Sequence, residues 1–214
     1  MTEESWVSTL KTEGVILAVP DLRKQHPALS SELHGEGIVD ASPLFSNPVL
    51  TDNVCEAMVQ LLRQSGLDLS AIDVVVGIAP ENIVLAHVLA DNIRRSRGFN
   101  CFSAYLEVDG HELAFKRSSL RTKHARVLLC DVQHVDNARS EMMFAAVTAA
   151  SGIVLPRFAT LVELHSSAMK NSTVVPLVSH PFNTWAMPGC ELCAQHSNVI
   201  LVPQVARRFF SSQI

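Results

Sequence analysis

The chain has 214 residues, 48% of them hydrophobic and 18% charged, with a formal net charge of −4. That length supports one sizeable domain, and that apolar content excludes a disordered chain. The charge balance, with no basic stripe, argues against nucleic acid as the main partner, and the apolar runs are too short to cross a bilayer. The N-terminus, Met1-Thr2-Glu3-Glu4-Ser5, is acidic and lacks the apolar core of a presequence. Five scattered cysteines, an odd number, fit reduced thiols in a cytoplasmic setting.

In chain order, Glu4 to Leu17 reads as a helix, with Trp6, Leu10 and Leu17 near helical spacing. Pro20 and Pro27 bracket an irregular connector, Ser30 to Gly35 reads as a turn, and Gly37 to Asp40 as a short strand. Thr51 or Asp52 can cap a helix from Asn53 to Gln64 that Gly66 ends. Ile72 to Ile78 is a nearly continuous apolar run, the pattern of a central parallel strand covered on both faces. Ala79-Pro80-Glu81-Asn82 turns into a helix from Ile83 to Arg95 that buries Ile83, Leu85, Val88 and Leu89. Cys101 to Leu106 continues the sheet. Val108 to Glu112 forms a hairpin tip, and Leu113 to Lys116 its return strand.

Arg126 to Arg139 organises the rest. Val127 to Cys130 is a buried strand with Asp131 at its carboxyl end, where ligands of open α/β sheets bind. A polar loop follows, then a helix from Glu141 to Ala150, a strand from Arg157 to Leu164 and a last strand from Val174 to Val178. The tail from His180 to Ile214 reads as irregular. Strand and helix alternate as in a doubly wound parallel sheet. The fold class is therefore α/β, a Rossmann-like parallel sheet with helices on both faces. One domain spans 1–214, with a small hood from about residues 1–45 and the tail 180–214.

Several stretches resemble the type I phosphoribosyltransferases, most closely the orotate phosphoribosyltransferases. Leu29-Ser30-Ser31-Glu32-Leu33-His34 is similar to the family's Leu-Thr-Ser-Gly-Leu-His turn. Asp73 to Ala79 resembles the strand leading into its pyrophosphate loop. Tyr105-Leu106-Glu107 through Lys116-Arg117 resembles its following strand and mobile loop, and Arg126 to Asp131 the strand before its phosphoribosyl-pyrophosphate loop. Trp185 with Cys190-Glu191-Leu192-Cys193 resembles the Cys-Pro-Leu-Cys tail of some members. The order and spacing of these segments carry the resemblance, over roughly residues 5 to 203.

The resemblance implies roles for particular residues. Asp131, Lys116, Arg117 and His111 stand at catalytic positions. Asp136, Asn137, Ala138, Glu81 and Asn82 stand where phosphoribosyl pyrophosphate or another nucleotide-like molecule would bind. It also implies Mg2+ as the cofactor of an active enzyme, at Asp131, and a homodimer; Glu81 and Asp136 could bind that ion with Asp131, because hard cations accept carboxylates. The family's loop has an acidic pair and a Gly-rich turn whose backbone N–H groups cradle a phosphate. Here a single acidic residue, Asp131, precedes a turn, His134-Val135-Asp136-Asn137-Ala138, that has neither Gly nor Thr. Pro80-Glu81-Asn82 replaces a Gly-Gly step, and Val108 replaces a Lys. A Cβ blocks the backbone approach that Gly permits, and the added carboxylates repel pyrophosphate.

Cys190 and Cys193 could hold zinc with His196 or His180; the bland reading is a remnant of the family's tail. His34 and His111 read as turn or surface residues. The departures favour a divergent orotate phosphoribosyltransferase-like protein, catalytically impaired and serving as a binding or regulatory homologue. The alternatives are an active transferase with a rebuilt phosphate site and a scaffold subunit of a larger assembly.

Overall fold

A computed structural model of the chain describes residues 1–30, 33–135, 137–164, 169 and 172–201. Helix α1 (Glu3–Thr12) starts at Thr2, whose side chain accepts from the Ser5 N–H, and carries Glu3 and Glu4 in its first turn and Lys11 in its last. That charge order suits the helix dipole. The helix stops well before Leu17, because Gly14 takes a φ of +74° and the chain leaves as strand β1 (Ile16–Ala18). The supposed connector ends in β2 (Gln25–Ala28), and β3 (Leu33–Gly35) stands within the expected turn. Strand β4 (Gly37–Val39) pairs antiparallel with β1.

Helix α2 (Ser42–Ser46) leads into α3 (Pro48–Gln64). The cap of α3 is Asn47, whose Oδ1 accepts from the Leu50 N–H at 3.1 Å, rather than Thr51 or Asp52. Pro48 at the first helical position lacks an N–H to satisfy, so the helix can begin there. Thr51 is instead buried, and its hydroxyl donates to Leu44 O at 2.7 Å.

Strand β5 (Val74–Ile78) is buried throughout. Helix α4 (Asn82–Arg97) begins a residue early and turns Asn82 inward; Ile83, expected in the core, is 36% exposed. Strand β6 (Phe102–Asp109) makes a hairpin with β7 (Glu112–Ala114). Next come β8 (Arg126–His134), α5 (Asn137–Ala149), β9 (Ile153–Glu163) and β10 (Thr173–Ser179). The tail, expected to be irregular, supplies β11 (Thr184–Ala186), α6 (Glu191–Ala194) and β12 (Asn198–Leu201).

The central sheet has the order β10-β9-β8-β5-β6-β7, parallel except for β7 at one edge. Alternate side chains along β8 feed different cores, as the two-residue period of a strand requires. Leu128, Cys130 and Val132 pack with α1, α3 and α4, while Val127 and Leu129 pack with Met143 and Val147 of α5. Helices therefore cover both faces. A second sheet, β11-β3-β2-β12, joins residues 25–35 to the tail. Among the described residues, no helix is long and apolar enough to cross a membrane.

Candidate functional site

The sequence places Asp131 at the end of its strand. In the structure β8 continues to His134, with Asp131 opposite Thr160, Gln133 opposite Val162 and His134 opposite Glu163. Two features prolong the ladder. Val132 keeps the buried alternation going, and β9 is eleven residues long. The expected phosphate turn is therefore strand at His134 and helix at Asn137 and Ala138; Asp136 lies outside the described residues.

Asp131 is only 2% exposed. Its Oδ1 accepts from Asn82 Nδ2 at 2.8 Å, and its Oδ2 lies 3.0 Å from Arg139 Nε. That second contact is an ion pair without a well-directed hydrogen bond, since the buried Nε–H has no aligned acceptor. Glu81 Oε2 stands 4.0 Å from Arg139 Nη2. Burial raises the Asp131 carboxyl above the usual carboxylate range. Arg139, the Asn82 amide and the N–H groups of Gln133 and Val132 oppose the shift.

Asn82 bonds on both sides, because its Oδ1 also accepts from the Val132 N–H at 2.8 Å. It can sit there because residue 77 is glycine. A Cβ at Gly77 would come within 2.6 Å of the Asn82 Cβ, closer than packed carbon atoms approach. Asn82 thus fills the space between the ends of β5 and β8.

A cavity of about 190 Å³ opens beside this group, lined by Asp131, Gln133, His134, Arg139 and Ser140, with Leu29 and Ser30 overhanging from the end of β2. Phe158 forms its apolar wall, with its ring centroid 5.6 Å from that of His134. The site combines one guanidinium, one buried carboxylate and several neutral polar groups. Such a lining suits a small, polar ligand.

The other expected residues stand elsewhere. Lys116 pairs with Asp109 at 2.9 Å and Arg117 pairs with Glu107. His111 is exposed at the hairpin turn. None of these three lines the cavity. Asn137 lines a more open groove with Glu141, Phe144 and Met169. Each Asp131 carboxylate oxygen has a partner, Asn82 on Oδ1 and Arg139 on Oδ2. Sequence reading missed Arg139, Gln133 and His134 as site residues. The spacing from Asp131 to Arg139, eight positions across one strand end and one helix start, was the available signal.

Cys190 and Cys193 flank the start of α6, and their neighbours are His26 and His34. His34 is 5% exposed, not a surface residue, because β11 pairs over it through Trp185. Neither expected histidine partner belongs to this group. His180 Nδ1 bonds to Leu164 O at 3.2 Å, and His196 is exposed. The remaining cysteines are core residues. Burial pushes the Cys55 thiol up to about 12, Cys101 to about 11 and Cys130 well above its ordinary value, so none is a ready nucleophile.

The chain has the type I phosphoribosyltransferase fold. Orotate phosphoribosyltransferase from Aeropyrum pernix is similar to it with a TM-score of 0.61 and 15% identity, over 81% of this chain and 93% of that one. Adenine phosphoribosyltransferase from Saccharomyces cerevisiae follows with a TM-score of 0.58 and 16% identity, over 82% and 99%. A phosphoribosyltransferase from Corynebacterium diphtheriae has a TM-score of 0.58 and 13% identity, over 84% and 96%. No protein-family model matches the chain, and no curated protein matches it in sequence.

Proposed function

We propose that this protein is a divergent orotate phosphoribosyltransferase-like protein that does not transfer phosphoribose and acts as a binding or regulatory homologue. One observation carries the reading: Asp131, the acidic residue at the family's ribose-binding position, is committed to Asn82 and Arg139 inside a continuing strand. A carboxylate held this way has no free edge to offer a ribose diol. The turn that would present backbone N–H groups to a phosphate is partly replaced by strand. What remains is a small cavity with Asp131, Arg139, Gln133 and His134 in its wall, suited to a small polar molecule. An active transferase would first have to free Asp131 from Arg139. Calorimetric titration with phosphoribosyl pyrophosphate, with and without Mg2+, tests the reading. Weak or no heat is expected with either, and tight Mg2+-dependent binding would overturn it.

A further inference from the structure

The second sheet contains a group of side chains that the cavity does not use. His26 Nε2 lies 3.0 Å from His34 Nδ1, 3.4 Å from Cys193 Sγ and 3.6 Å from Cys190 Sγ, and Cys193 Sγ lies 3.4 Å from His34 Nδ1. All four ligand atoms fall within 4.8 Å of one another. His26, His34 and Cys190 are buried and Cys193 is half-buried. A tetrahedral zinc ion with ordinary Zn–S and Zn–N bonds sets its ligand atoms about 3.3 Å apart for N and N and about 3.5 Å for N and S. Those four of the six separations match that tetrahedron to within a few tenths of an ångström.

We propose that His26, His34, Cys190 and Cys193 form a structural zinc site. Two thiolates and two imidazoles are the soft and borderline donors that select zinc over Mg2+ or Ca2+. Four protein ligands close the coordination shell, which marks a structural rather than a catalytic ion. His26 also has an outer partner, since its Nδ1 lies 2.9 Å from Ser197 Oγ. That bond holds the ring so that Nε2 faces the other three ligands.

The location explains what the ion would do. His26 comes from β2, His34 from β3, and the cysteines from the turn and helix between β11 and β12, so the ligands surround one end of the second sheet. The apolar cluster nearest these strands has just Ile38 and Ile200 buried, with Leu17 and Leu29 beside them, among the described residues. So small a cluster is a weak anchor, and small units of this kind are commonly stapled by a metal. His26 and Cys190 are 164 positions apart, so the ion ties the early segment to the tail. Leu29 and Ser30, which overhang the cavity, follow directly from β2.

The test is metal analysis of the full chain purified reduced and without chelator. The expected result is about one zinc per chain, retained through gel filtration. Replacement by Co2+ should give the intense visible bands of a tetrahedral ion and a thiolate charge-transfer band. A Cys190→Ser/Cys193→Ser variant should hold less than about a tenth of the wild-type zinc. A Cys193→His variant, which keeps four donors, should retain zinc while the cobalt thiolate band falls to about half. Stripping the wild type with a strong chelator should lower its Tm, and zinc should restore it. Reduced wild-type protein that takes up neither zinc nor cobalt, or a double serine variant that keeps its zinc, would overturn the proposal.

Discussion

Asn82 and Asp131 are joined at 2.8 Å from the start of α4 to the middle of β8, and the same Asn82 amide receives the Val132 N–H at 2.8 Å. One side chain thereby satisfies a buried carboxylate and a buried backbone donor at once. The pair sits where the fold's strand ends face ligands, and it turns that region from a loop-lined opening into a packed, polar floor.

The first prediction concerns this floor. Asn82→Ala leaves the Val132 N–H and Asp131 Oδ1 short of a partner and should destabilise the protein by about 2–4 kcal/mol, as for a buried double hydrogen bond. Gly77→Ala should also destabilise, because its Cβ meets the Asn82 Cβ and backbone. Asn82→Ala keeps the Cβ and backbone atoms that the new Cβ would meet, so it should not rescue Gly77→Ala, and the double variant should be at least as destabilised as Gly77→Ala alone. Urea denaturation of the three variants measures both effects, and a Gly77→Ala variant as stable as wild type would show that residue 77 has room for a Cβ.

Arg139 provides the second. It compensates a buried charge, but its own side chain is 41% exposed, so removing it is discounted for solvent screening. Arg139→Ala should cost about 1–3 kcal/mol. Asp131→Asn together with Arg139→Met should recover most of that loss, because no buried charge is then left unpaired. A double variant less stable than Arg139→Ala would contradict the ion-pair account.

The third follows from the Asp131 carboxyl, which burial raises above its unfolded value. A raised carboxyl contributes stability that is fully present below the unfolded pKa of about 3.9 and is lost as pH rises through the folded pKa. Asp131→Asn cannot titrate, so its stability relative to wild type should improve as pH is raised from about 3.5, below the unfolded pKa, to about 7. Chemical denaturation at the two values reads this difference directly, and a relative stability that falls over the same interval would reverse the sign of the shift.

The sheet was the legible part of the fold. The apolar run ending at Ile78 and the buried stretch from Val127 lie paired in one parallel sheet, because fully buried strands need uniformly apolar residues. The short strands at Gln25 and Asn198 were hidden, since Gln-His-Pro-Ala and Asn-Val-Ile-Leu carry little alternation. They are strands because β2 and β12 pair with each other from opposite ends of the chain, a relationship that local pattern does not encode. Asp131, Glu81 and Asn82 could be named from the sequence, and the structure brings them together around Arg139. The site was not legible at Arg139 and His134, whose positions depend on β8 running three residues past Asp131. The Cys190 and Cys193 pair was visible as a motif, but its histidine neighbours lie more than a hundred residues upstream.

A fourth prediction concerns assembly. The resemblance to orotate phosphoribosyltransferases implies a homodimer, and we propose that the β6–β7 hairpin, with Val108 63% exposed, reaches a second copy. Light scattering at micromolar concentration should give a dimeric mass, and Val108→Asp should shift it toward monomer. A monomeric wild type would end this proposal.

The central claim is that the engagement of Asp131 by Asn82 and Arg139 leaves no site for phosphoribosyl transfer. Assay of the protein with orotate, phosphoribosyl pyrophosphate and Mg2+ tests it most directly. The account predicts no turnover above the protein-free rate. Steady formation of the nucleotide, abolished by Asp131→Asn, would contradict it and establish an active transferase with a rebuilt phosphate site.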